Sequence, residues 1–270
     1  MHALDEATAL AGAPRDPVRR GRTHDAYWTF IGPFGGASAA TALRAVLEHP
    51  RREGDPLAAT VNFCAPIERG EFAVHVRLAR SNRSSQHWQV EFRQGDGDDA
   101  VLTASVVTAA RRESWQHQTV RPPALPPPET MKAFANRNAL TWIAQYGFRF
   151  AEGVFEPSEQ MFDPPRSPRS VLWLQDDQPR ALDFGSLAMS DAFFGRLFQV
   201  IGRIPPFGTV SMTTYFHAAA DELAAHGSAP LAAVADARVF HRSFGDQTAE
   251  LYGADGQLLA TSVQVAYFRV

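Results

Sequence analysis

The sequence is short of several things, and each shortage excludes a class of protein. It holds one cysteine, Cys64, in 270 residues. No intrachain disulfide can form, and the usage fits a reducing compartment. Cys64 has no CxxC pattern or neighbouring histidine to make it a redox or metal group, so it reads as a small, half-buried strand residue. No apolar run reaches the roughly 18 residues of a membrane span. Neither sign of charge is in large excess: 26 basic side chains against 29 acidic leave a net of -3. That balance gives no footprint for duplex nucleic acid. The opening stretch, MHALDEATALAGAPRDPVRRGR, lacks the apolar centre of a secretory signal. Residues 1–22 are therefore expected to be a flexible tail on a cytoplasmic protein. What is plentiful is apolar: 45% hydrophobic against 20% charged residues is a soluble globular mixture, long enough to bury its own core.

The same plan is written twice. After a short strand at Asp25–Phe30, the turn residues Gly32-Pro33-Phe34-Gly35-Gly36 lead into a helix, Ala37 to His49. There Ala39, Leu43, Val46 and Leu47 share one face. Four strands follow. Residues 71–79 alternate, with Phe72, Val74, Val76 and Leu78 on one side and Glu71, His75 and Arg77 on the other. The run Gly95-Asp96-Gly97-Asp98-Asp99 is a hairpin turn. The proline-dense stretch RPPALPPPE denies both helix and central strand, and residues 113–141 read as a linker. Strands at 148–155 and 171–175 then precede a second helix, Ser186 to Ile201, and further strands complete the sheet.

The halves also echo in letters. GDGDDAVLTASV at 95–106 matches the grain of GADGQLLATSV at 253–263. This is an internal duplication, residues 23–112 and 142–270, each copy one helix with a run of antiparallel strands. A helix against one sheet face is a stable two-layer solution. Joining two such units edge to edge removes two exposed strand edges.

A few polar residues stand in apolar company. At 100° per residue, Asp191 falls inside the arc of Leu187, Phe194, Phe198 and Ile201. It is either a buried carboxylate with a function or, behind a Ser190 N-cap, a solvated first-turn acid. Gln264 sits between Val263 and Val265, in a strand apolar on both faces. It is either a site residue or a core glutamine satisfied by backbone. Thr209 opens the strand after the second helix. Gly35 and Gly36 allow close approach to a helix N-terminus, as an anion cradle or simply as a tight turn.

These segments carry a resemblance. GPFGGASAATALRAV in the first half, with LAMSDAFF, GTVSMTTYFH and LLATSVQ in the second, resemble the TesB-like, type II acyl-CoA thioesterases over nearly the whole chain. The resemblance implies an α+β double hotdog: two tandem helix-wrapped antiparallel repeats joined into one sheet. It implies that Asp191, Thr209 and Gln264 work together on a hydrolytic water, with the thioester near Gly35, Gly36 and Phe34. It implies no metal and no organic cofactor, coenzyme A being part of the substrate, and a monomer or a homo-oligomer. Many relatives carry glutamine where this chain has Ala37, a departure that bears on the pocket more than on the chemistry, and Tyr215-Phe216 replaces the tryptophan-phenylalanine of some relatives.

Other chemistries lack their residues. There is no GxSxG elbow, P-loop, GxGxxG or HExxH. His24-Asp25 invites a general-base or metal reading but suits a solvated pair. Arg80 and Arg83 could meet a CoA phosphate or merely flank a hairpin. Phe34, Phe193, Phe194 and Phe207 could line an apolar tunnel or pack the core. A slow acyl-CoA binder on the same fold is the alternative to an enzyme. What separates the two is whether Asp191, Thr209 and Gln264 converge. A hydratase would need an Asp, Asn and His pattern that is absent.

Overall fold

The computed structural model describes residues 1–135 and 140–270, so residues 136–139 of the expected linker lie outside the described residues. The first half runs α1 (Ala3–Ala7), β1 (Val18–Arg22), α2 (Gly35–Leu47), β2 (Asp55–Phe63), β3 (Glu71–Ser81), β4 (Ser85–Arg93) and β5 (Ala100–Ala109). The second runs β6 (Tyr146–Glu152), β7 (Ser170–Asp176), α3 (Arg196–Ile201), β8 (Phe207–Phe216), α4 (Ala220–His226), β9 (Leu231–Asp236), β10 (Phe240–His241), β11 (Phe244–Tyr252) and β12 (Leu258–Phe268). All the strands join one twelve-stranded sheet, ordered β1-β3-β4-β5-β2-β8-β12-β11-β9-β7-β6, with β10 on β11. Every pairing is antiparallel.

Alternation fixes the inner face. Phe72, Val74 and Val76 on β3, Trp88, Val90 and Phe92 on β4, and Leu102, Ala104 and Val106 on β5 are all buried. A one-residue slip would turn each set to solvent, which specifies the register. The two halves meet where β2 pairs β8, with Thr60 opposite Thr213 and Asn62 opposite Ser211. The hydroxyls of Thr60 and Thr213 lie 3.0 Å apart across that seam.

Several expectations are corrected. The first 22 residues are not a loose tail. β1 pairs β3, Leu4 is buried, and buried Arg19 donates to Glu48 at 2.6 Å. The partner lies 29 residues away, so the local sequence of the tail does not show the pair. The Asp25–Phe30 strand is instead a 3-10 turn at Asp25–Tyr27. The single second helix is two pieces: a 3-10 turn at Ser186–Asp191, then α3. Gly195 is the N-cap of α3, with no side-chain hydrogen bond to cap the helix. A side chain there would crowd Phe198 and Phe207. Cys64 lies exposed just past β2.

α2 was expected to show one apolar face; it is buried on most of its surface, Ser38 and Thr41 included. Their hydroxyls bond to carbonyls one turn back, Thr41 to Ala37 at 2.9 Å, which lets polar residues sit inside. α2 is thus the central helix of the first half. Its N-terminus faces the 3-10 turn that stands where the second half's long helix was expected.

Candidate active site

Asp191 is the last residue of the 3-10 turn and is only 9% exposed. It is therefore not the solvated first-turn acid that the sequence allowed. Its burial also owes nothing to the long-helix arc, because the helix is interrupted just after it. Gln264 on β12 donates from Nε2 to Asp191 Oδ1 at 2.7 Å. Thr209 on β8 donates from Oγ1 to Gln264 Oε1 at 3.3 Å. The three side chains form one chain of hydrogen bonds, drawn from three elements of the second half. Accepting from the hydroxyl fixes the amide so that its NH₂ group faces the carboxylate.

The first half completes the site. The backbone N–H of Gly36 donates to the Asp191 carboxylate, so the positive end of α2 points at it. A Cβ on Gly35 would stand 2.7 Å from Asp191 Oδ2, and one on Gly36 would stand 2.5 Å from the Ala188 carbonyl oxygen. Both glycines are required for close approach and not for a special backbone angle. The Gly36 amide expected to cradle an anion is thus engaged by Asp191. Phe34 precedes them as the N-cap, itself buried. Its ring stacks on Trp142 at 4.7 Å and packs beside Tyr27 and Tyr146. There it fixes where α2 begins.

Burial pushes the Asp191 carboxyl up to about 7; the hydrogen bonds from Gln264 and Gly36 pull it part of the way back. A carboxylate near neutrality is suited to take a proton from water and release it again. His24 caps a turn and faces Glu6, and His217 bonds Thr261 at the surface. Neither meets this site. Among the described residues, no group of three or more His, Cys, Asp or Glu side chains is placed to hold a metal. Phe194 packs among Phe134, Trp142, Phe148, Phe150 and Phe155, inside the core.

Sequence reasoning missed the residues that hold Asp191 in place. Ser190 Oγ lies 3.2 Å from Thr214 Oγ1, and Ser262 Oγ donates to the Ser190 carbonyl at 2.9 Å. Gln247, directly across from Gln264, accepts from the Arg196 backbone N–H at 3.2 Å. The signal was parity. Ser262 and Gln264 share one face of β12, and it is the inner one; Val263 and Val265 face outward, each 42% exposed.

An antiparallel sheet built of two tandem halves, with a helix at its centre, defines a double hotdog protein. The family model described as the acyl-CoA thioesterase N-terminal domain matches residues 24–109, and its C-terminal counterpart matches residues 118–268. The chain belongs to the acyl-CoA thioesterase family. A conserved protein of unknown function with a hot dog fold from Alicyclobacillus acidocaldarius is 38% identical. It covers 100% of this chain and 99% of its own, with a TM-score of 0.92. Acyl-CoA thioesterase II TesB2 from Mycobacterium marinum shares the fold at 16% identity, over 99% of this chain and 98% of its own, with a TM-score of 0.76. The dehydratase domain of RzxB from Pseudomonas fluorescens is more distant, at 12% identity over the full length of both chains and a TM-score of 0.57. No curated protein matches the sequence.

Proposed function

We propose that the protein hydrolyses the thioester of an acyl-CoA to a free acid and CoA. The observation that carries this reading is the convergence of Thr209, Gln264 and Asp191 at the start of α2. Such convergence favours turnover over the alternative of a slow acyl-CoA binder.

In this reading Asp191 takes a proton from water as the oxygen attacks the thioester carbonyl. Gln264 and Thr209 orient the carboxylate and the water, since amide and hydroxyl groups each donate and accept. The developing oxyanion is met by the first amides of α2 other than that of Gly36, which faces Asp191. Ser38 makes the first intrahelical bond, to Phe34, so the amides before it are free of the helix ladder. The C–S bond breaks, and the proton held by Asp191 goes to the leaving thiolate. A thioester is reactive enough that a positioned water suffices without a covalent serine or cysteine. The reading therefore needs no metal or organic cofactor.

The test is a panel of acyl-CoAs from acetyl to palmitoyl, with one aryl-CoA, followed by release of free thiol. Release from at least one member is expected. Saturable binding with no release from any would replace the hydrolase by the binder.

A further inference from the structure

A hydrolase of this kind must put the acyl chain somewhere, and the following inference rests on that reading. Three elements leave Asp191 in a common direction. On α2, Gly35 leaves the space that a Cβ would take 2.7 Å from the carboxylate, and Ala39, Ala40 and Leu43 follow over little more than two turns. On β2, the Phe63 ring borders the same space beside Gly35, with Val61 and Ala59 behind it on the inner face. On β8, Thr209 reaches Gln264, with Met212, Thr214 and Phe216 pointing inward beyond it.

These later residues line one cavity, between α2 and the seam that joins the two halves. Its near side includes Ser190, the neighbour of Asp191. Leu43, Phe184 and Phe216 close the rest. The two phenylalanine rings meet edge to face with centroids 5.7 Å apart. The void left is about 20 Å³, room for one water-sized group. Its wall is apolar apart from Ser190 and Thr214, and those hydroxyls are bonded to each other.

We infer that this cavity is the acyl pocket and that it fits the protein to short aliphatic acyl-CoAs. A carbonyl held beside Gly35 puts the level of Ala39 about 6 Å further along α2, at 1.5 Å per residue. A chain of about four carbons spans that distance and brings its terminal methyl, a group of about water size, into the void. A longer chain must displace Leu43, Phe184 or Phe216 from a packed core, where overpacking carries its own penalty.

The test uses S-alkyl-CoA thioethers, ethyl to dodecyl, titrated calorimetrically into the full chain. Hydrolysis of the matching acyl-CoAs is measured in parallel. Thioethers cannot be hydrolysed, so their affinities report on the pocket whether or not the protein is a hydrolase. Butyl-CoA is expected to bind at least tenfold more tightly than dodecyl-CoA. Phe216→Ala, or Phe184→Ala should the first fail to fold, is expected to shift the preference toward the longer chain. Ala59→Leu is expected to weaken butyl binding about tenfold. Tighter dodecyl binding by the wild type, or an unchanged profile in the folded variants, would overturn the assignment. Hydrolysis with a flat binding profile would sink the pocket and leave the hydrolase standing. The expected profile without hydrolysis would do the reverse.

Discussion

Gly35→Ala is the most informative small change in this molecule. The added methyl would stand 2.7 Å from Asp191 Oδ2 and 3.2 Å from the Phe63 ring. Ordinary contact begins near 3.4 Å, so the carboxylate must retreat by about 0.7 Å. That retreat pulls on the 2.7 Å bond from Gln264 and on the bond from Gly36. A misplacement of about 1 Å costs on the order of 100-fold in rate, and a loss of about 30- to 100-fold is expected here. Stability should change little, because alanine favours a helix over glycine by about 1 kcal/mol and offsets part of the crowding. The assay is thiol release alongside thermal unfolding, with Gly97→Ala as control, since nothing stands within 4 Å of a Cβ there. Gly36→Ala is a poorer probe: its methyl would meet the backbone oxygen of Ala188 at 2.5 Å and disturb the fold itself. Wild-type turnover in a folded Gly35→Ala protein would refute the claim that Asp191 must sit against this helix start.

Other outcomes follow from the same geometry. With the Asp191 carboxyl pushed up to about 7 by burial, turnover should fall as the pH drops through about 7, because the base is then protonated. Gln264→Leu should move that limb to higher pH, since the lost hydrogen bond favoured the charged form; a wild-type limb near 4 would contradict the burial argument. The raised value also means that folding takes up a proton between the ordinary carboxylate range and about 7. Stability from this group is full at low pH and is lost as the pH rises through that window. Thr209→Val should lower turnover about tenfold with little change in KM, while Thr209→Ser keeps most of it, because only the hydroxyl reaches Gln264; equal rates in both variants would remove Thr209 from the mechanism. Deleting residues 1–22 should lower Tm by several degrees, since it strips β1 from β3 and leaves Glu48 without Arg19; an unchanged Tm would restore the loose-tail reading.

Much of the architecture was legible because it rests on local pattern. The alternation of Phe72, Val74 and Val76, the Gly-Asp hairpin before β5, and the echo between 95–106 and 253–263 place strands without knowledge of the rest. What was not legible depends on partners far apart in sequence. Arg19 pairs with Glu48, which the local sequence of the tail does not show. α4 lies in a stretch to which the sequence pattern assigned no element, and its first turn carries the acids Asp221 and Glu222. The site shows the same division. Asp191 came to notice through a helical arc that does not exist; its burial comes from two glycines some 150 residues earlier. Gln264 came to notice as a misfit between valines, yet the valines are outside and the glutamine is on the inner face. The three residue types nonetheless meet in one hydrogen-bonded chain, which depends on where the backbone brings hydroxyl, amide and carboxylate together and not on the local pattern that drew notice to them.

The most direct measurement is thiol release by Asp191→Asn on the best acyl-CoA of the wild-type panel. Asparagine keeps the size of the side chain and can still accept from Gln264, so the fold should hold, and circular dichroism verifies it. The account predicts a loss of at least about 100-fold, the scale of a missing general base. Turnover near the wild-type rate in that folded variant would contradict it.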